Sequence, residues 1–386
     1  MKALLGYFRG WLMILLIFVP LTIVLHFMHV GEVWQFASAC LAIIPLAGLM
    51  GRATEHLAER AGTGIGGLLN ATFGNAAELI IAIAAINAGL LEVVKASLTG
   101  SILGNLIFVL GASLLAGGLR YRTQKFNAVA AGSGVTMMSV AVMAMLVPGI
   151  YHHLHGKHLP ADDLPALETM SLVLAGVMIL NYVTGLVFSL RTHKEYYNGP
   201  PEEGDEAGEG RSGVEPYLRA GGGEDSGGFD GEKEHPPVWA AVTMLAVATA
   251  VIAVVSEMLV KTLDPVMHSM GWSPLFVGAI IIAVIGNAAE HSTAVLVAMR
   301  NKMDLAMQIC IGSSMQIAMF VVPVLVFVSW GMGKPMTLEF TPVELLSVFG
   351  ALFVVNSVAN DGESNWFEGA QLISLYVVLA VAFYFM

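Results

Sequence analysis

Runs of about twenty apolar residues recur along the whole chain, each broken by charge, proline or clustered glycine, and each long enough at helical rise to cross a hydrocarbon core about 30 Å thick. Eleven such segments lie near residues 10–28, 33–50, 65–87, 96–119, 128–148, 166–190, 237–262, 274–299, 305–331, 342–360 and 367–386. A water-soluble fold has nowhere to hide them. Of 386 residues, 56% are hydrophobic and only 12% charged, against about 25% charged in soluble domains. The fold class predicted is an all-α polytopic membrane protein. A net charge of -11 argues against nucleic acid as a partner. Cys40 and Cys310 both sit inside apolar runs, so they offer neither a disulfide framework nor a zinc cluster. The first run follows Lys2 and Arg9, is long for the apolar part of a signal peptide, and has no small-residue cleavage site after it. It is read as a true span.

Orientation follows from lysine and arginine, which collect in short cytoplasmic loops. With the N-terminus inside, inner loops hold fourteen of them: Lys2, Arg9, Arg52, Arg60, Arg120, Arg122, Lys125, Arg191, Lys194, Arg211, Arg219, Lys233, Arg300 and Lys302. Outer loops hold four: Lys95, Lys157, Lys261 and Lys334. The expectation is a cytoplasmic N-terminus and an outer C-terminus. Residues 191–236 carry twelve acidic side chains against five basic ones, with many glycines, and read as a flexible acidic cytoplasmic linker.

Gly74-Asn75-Ala76-Ala77-Glu78 recurs as Gly286-Asn287-Ala288-Ala289-Glu290, an offset of 212. The same offset maps Gly100-Ser101 onto Gly312-Ser313 and Phe108-Val109 onto Phe320-Val321, with no gap. The chain therefore divides into an extra first helix at 1–32, one five-helix unit at 33–190, the linker at 191–236 and a second unit at 237–386. Five is odd, so the second unit enters from the opposite side. Inverted-topology repeats of this kind mark secondary transporters, whose substrate site lies where the copies meet.

Glu78 is the only charge between Ala61 and Leu91, and Glu290 the only one between Ser273 and Met299. A charge at mid-span costs roughly 2.5–3.5 kcal/mol on the lenient scale, so neither glutamate persists there as packing. Asn75 and Asn287 lie three residues before the glutamates and share a helix face with them. Gly74 and Gly286, with Gly66 and Gly67 upstream in the first copy, allow a kink that frees backbone carbonyls toward a cavity. Gly100 and Gly104 form a small-xxx-small face that admits a neighbouring backbone, while Ser101 and Ser313 add hydroxyls. In register, Gly104 stands against Gln316, which makes the site asymmetric. Oxygen-only ligation suits a hard cation such as Ca2+. Two carboxylates carry a charge of minus two, costly in a dry interior and removable by one divalent cation or by protons. Cation one way and protons the other is antiport.

GNAAELI, ASLTGSILGN, GNAAEHSTAV, KMDLA with GSSMQIAMFV, and DGESNWFEGAQL resemble the Ca2+/H+ antiporter (cation/proton exchanger) family of the Ca2+/cation antiporter superfamily, from about residue 33 onward. The resemblance implies eleven helices with an extra first one, and Glu78 and Glu290 as exchange carboxylates. It also implies Asn75, Asn287, Ser101, Ser313 and Gln316 around the cation, and gating by sliding of the second and seventh spans. No cofactor is expected beyond Ca2+ and H+ as substrates. The expected setting is a prokaryotic plasma membrane, with homo-oligomerisation left open. A channel using the same glutamates as a selectivity lining is the first rival. Sodium-coupled exchangers of the superfamily usually read GTSxPE at these glutamates, a pattern missing here. Protease motifs are also missing, so the chain reads as no enzyme. Glu55 and Glu257, in roughly corresponding places, are either way-stations or solvated helix-end charges. Tyr151-His152-His153-Leu154-His155-Gly156-Lys157-His158 is read as a wet outer loop.

Overall fold

The computed structural model describes residues 11–155, 164–193 and 237–386. The acidic linker from residue 194 on, the end of the histidine-rich loop, and Lys2 and Arg9 lie outside the described residues. What is described is almost wholly helical. After a 3-10 stretch Trp11–Ile17 come α1 (Phe18–Phe27), α2 (Glu32–Phe73), α3 (Ala76–Asn87), α4 (Leu91–Leu103), α5 (Leu110–Gly118), α6 (Ala128–His155) and α7 (Leu164–Val187). Beyond the linker come α8 (Val238–Met270), α9 (Pro274–Gly286), α10 (Ala288–Ala298), α11 (Met303–Gln316), α12 (Val322–Gly331), α13 (Pro342–Asp361) and α14 (Trp366–Phe385). The two short strands β1 (Gln124–Lys125) and β2 (Glu363–Ser364) pair antiparallel.

Among the described residues, eight helices are long and apolar enough to cross a membrane, and nine if the bent pair α9 and α10 is one span. Two shorter apolar helices, Leu12–Phe27 and Ala76–Asn87, stand outside that count. The expectation of eleven spans departs from this most clearly in the first half. No loop separates the segments expected at 33–50 and 65–87, because α2 stays helical through the polar stretch GRATEHLAER. Alanine, leucine, glutamate and arginine are good helix formers, so polarity there does not end the helix. The chain turns within that helical run all the same. A Cβ on Gly66 would lie 2.2 Å from the Ala58 carbonyl oxygen, whereas eight residues of straight helix rise about 12 Å.

The core is built on two long spans. In an apolar eighteen-residue stretch of each, Leu91–Gly118 and Met303–Gly331 bury 83% of their residues, whereas Pro165–Thr192 and Trp366–Phe385 bury 22% and form the periphery. Each central span joins two α-helices through a wide π-helical turn, Gly104–Val109 in one and Ile317–Val321 in the other. A third π turn, Val277–Ile282, lies inside α9. That turn packs against α4, and the fit depends on glycine: a Cβ on Gly100 would fall 2.1 Å from the Ala279 carbonyl oxygen. Gly104, expected to share this close approach, has nothing within 4 Å of the Cβ position and faces open space. Elsewhere α8 runs along α2, and α14 lies against α5.

Candidate functional site

Both helical breaks fall at the asparagines. Asn75 (φ -97°, ψ 14°) separates α2 from α3, and Asn287 (φ -102°, ψ 6°) separates α9 from α10, where the axis bends by 63°. These dihedrals lie in the sparsely populated bridge region outside the helix. The backbone oxygens stay in use, accepting from Leu79 N–H at 3.1 Å and from His291 N–H at 2.9 Å. Neither amide side chain caps its own helix, and both reach across the molecule. Each glutamate sits in the first turn after its break. The two helices start 212 residues apart, as do α5 and α12.

The first carboxylate gathers groups from both halves of the chain. Glu78 Oε1 accepts from Ser101 Oγ at 2.7 Å and from Asn287 Nδ2 at 2.6 Å. Asn287 Nδ2 also lies 3.0 Å from Ser101 Oγ and 3.0 Å from the Ala283 carbonyl oxygen. Gly286 lies beside this group, and a Cβ there would make an ordinary contact with Glu78 Cγ at 3.5 Å. The other carboxylate oxygen, Glu78 Oε2, is buried and has no hydrogen-bond partner among the described residues. It is a lone-pair donor held ready inside the protein.

The second carboxylate has different company. Glu290 Oε2 accepts from Ser313 Oγ. Asn75, the counterpart of Asn287, instead donates from Nδ2 to Gln316 Oε1 at 2.8 Å. Gly74, whose Cβ would meet the Asn70 carbonyl oxygen at 2.5 Å, ends α2 just before the break. All nine candidate residues thus lie at the two breaks or on the two central spans, and seven of them form three clusters: Glu78–Ser101–Asn287, Glu290–Ser313 and Asn75–Gln316. Both glutamates are half-buried, while Asn75, Asn287, Ser101 and Ser313 are buried. Among the described residues no three His, Cys, Asp or Glu side chains group as a metal site. The donors assembled here are two carboxylates together with amide, hydroxyl and carbonyl oxygens, the set a hard cation takes.

Two residues outside the expected set, next to it in sequence, pair with each other. His291 Nε2 lies 3.1 Å from Asn105 Oδ1, and both residues are buried. Their signal in the sequence is adjacency to Glu290 and Gly104. The register hides them, because their mates at 212 are Leu79 and Ile317, which are apolar. Glu257 is exposed and paired with Lys261 at 2.9 Å, as a solvated helix-surface charge would be. Glu55 is buried within α2.

A model of the sodium/calcium exchanger protein family matches residues 31–191 and 240–385. A Ca(2+)/H(+) antiporter of Synechocystis sp. is 45% identical over 376 residues, covering 97% of this chain and 96% of that one. The Ca(2+)/H(+) antiporter ChaA of Bacillus subtilis is 42% identical over 371 residues, covering 95% and 96%. The solved structure of native YfkE superposes with a TM-score of 0.77 at 38% identity, covering 97% of this chain and all of that one.

Proposed function

This chain belongs to the sodium/calcium exchanger protein family, and from that premise we propose that it is a secondary transporter exchanging Ca2+, or another divalent cation, for H+ by alternating access. Glu78 and Glu290 hold cation and protons by turns. Asn75, Asn287, Ser101, Ser313, Gln316 and the backbone freed at Gly74 and Gly286 complete the oxygen cage. The observation that carries this reading is the contact across the halves, in which the Asn287 amide and the Ser101 hydroxyl converge on one carboxylate oxygen of Glu78. Its other oxygen lacks a partner among the described residues. An ionised carboxylate at membrane depth is costly when empty, so the site passes between its two access states only with a cation or a proton aboard.

The broader arrangement is part of the same proposal. Two five-helix repeats at 33–190 and 237–386, inverted with respect to each other, follow an extra helix at 1–32 and flank the acidic linker at 191–236, giving eleven spans. The N-terminus lies in the cytoplasm of a prokaryotic cell and the C-terminus outside. Matching helix starts at Ala76 and Ala288, and at Leu110 and Val322, support the repeat. The names carried by the similar proteins from Synechocystis sp. and Bacillus subtilis support the choice of ions. Purified protein in vesicles is expected to take up Ca2+ only against a proton gradient. Uptake driven by sodium alone, or persisting without proton counterflow, overturns the reading.

A further inference from the structure

The half-helices that carry the glutamates also have far ends, and each is held by the other half of the chain. The last carbonyls of an α-helix lack intrahelical donors and lie at the negative end of its dipole. At the end of α3 the chain turns through Gly89 (φ 82°), and Leu90 N–H returns to the Ala85 carbonyl at 2.9 Å. The Asn87 carbonyl then accepts from the Lys334 ammonium at 2.5 Å, with Asn87 Oδ1 3.4 Å from the same nitrogen. At the end of α10 the chain turns through Asn301 (φ 60°), and Lys302 N–H returns to the Val297 carbonyl at 3.0 Å. The Met299 carbonyl accepts from the Arg120 guanidinium at 3.2 Å. Beside it, buried Gln124 donates from Nε2 to the Ala298 carbonyl at 2.9 Å and to Asn301 Oδ1 at 3.1 Å.

The two clamps correspond. Asn87 and Met299 stand 212 residues apart, the register of the paired motifs. Lys334 follows α12 on the span whose Ser313 touches Glu290, yet it grips the helix of Glu78. Arg120 follows α5 on the span whose Ser101 touches Glu78, yet it grips the helix of Glu290. Each central span therefore holds one glutamate by a hydroxyl in its middle and the other glutamate's helix by a cation beyond its end.

We propose that Lys334 and Arg120 are positioning residues for Glu78 and Glu290. A half-helix of 11 or 12 residues is a rod about 17 Å long. With one end at the asparagine break and the other on a cation, its tilt is fixed, and so is the place of the carboxylate one turn from the break. A rod that pivots at its asparagine has to release its clamp. On the orientation proposed above, Arg120 lies at the cytoplasmic face and Lys334 at the outer face, so one clamp governs each side. The inference rests on the exchange reading.

The test compares Lys334→Gln and Arg120→Gln with Lys334→Arg and Arg120→Lys in the full chain. Both positions are exposed, so the neutral variants remove no core packing. Each glutamine variant is expected to weaken Ca2+ binding, measured by calorimetry in detergent, by about two- to fivefold, the strength of a cation at a helix C-terminus. In vesicles the same shift is expected in the apparent KM, and the conservative variants restore both. Unaltered affinity in the two glutamine variants overturns the proposal. So does an equal loss in the conservative variants, which signals a purely structural role. Wild-type protein that binds Ca2+ but fails to exchange it for protons defeats the exchange reading, while the binding measurements still judge the clamps.

Discussion

The two halves carry the same five-residue motif with the same backbone break, but the glutamates end up in unlike surroundings. Glu78 takes both a serine hydroxyl and the opposite half's asparagine. Glu290 takes the serine alone, because Gln316 holds Asn75 at 2.8 Å. The first half has Gly104 where the second has Gln316, and Gly104 leaves open space. One unmatched position thus divides two matched carboxylates into a well-supplied one and a poorly supplied one. Repetition of a motif secures the geometry of the backbone break. It does not secure the hydrogen bonds made there, which depend on the side chains that the other half sends across.

The comparison breaks most completely if the glutamates are dispensable. Glu78→Gln and Glu290→Gln are each expected to abolish Ca2+ uptake in vesicles while leaving the protein folded, since an amide neither offsets the cation nor carries a proton. Normal uptake by either variant removes that carboxylate from the mechanism. The asparagines sharpen the contrast. Asn287→Ala deletes a hydrogen bond to a charged group, worth about 1.5–3 kcal/mol, and is expected to weaken Ca2+ binding about ten- to hundredfold. Asn75→Ala deletes an amide–amide bond worth about 1 kcal/mol and is expected to cost about fivefold. Equal losses in calorimetry dissolve the distinction between the halves.

A third contrast lies in packing. Gly100→Ala forces a methyl group against the Ala279 backbone and is expected to lower stability by about 1–3 kcal/mol, read as a lower melting temperature in detergent. Gly104→Ala, one turn later, meets open space and is expected to cost no more than about 1 kcal/mol. The smallest effect concerns the unmatched position itself. Gln316→Gly frees Asn75, so the penalties of Gln316→Gly and Asn75→Ala are expected to fall short of additivity by about 0.5–1 kcal/mol in a double-mutant cycle. Simple additivity means that the two side chains do not work together.

The backbone breaks were legible because a glycine and an asparagine interrupt otherwise apolar helices in the same register twice, and a lone charge follows each break. The offset of 212 also marked Ser101 and Ser313 as matched hydroxyls, but which glutamate each one meets came only from the structure. Asn75 on Gln316 was not, since local spacing puts Asn75 on the face of Glu78 and says nothing about a partner 241 residues away. Asn105 and His291 escaped for a related reason: a search for matched positions passes over residues whose mates are apolar. The course of α2 through residues 51–61 was misread as a loop because charge was taken as the end of a span. Charge ends burial in lipid, but a run of strong helix formers keeps its hydrogen bonds regardless.

The wide turns within the central spans have a consequence for how such a chain can vary. A π turn accommodates one residue more than an α turn of the same rise, so deleting a single residue within Gly104–Val109 lets the helix relax to ordinary winding. The two flanks then keep nearly the same rotational phase, whereas a deletion in the regular helix beside the turn rotates one side by about 100° relative to the other. Within Leu110–Gly118 such a rotation keeps Ser101 with Glu78 only if Arg120 swings away from α10, or the reverse. Loss of one residue is therefore a mild change at these wide turns and a severe one in the regular helix that flanks them.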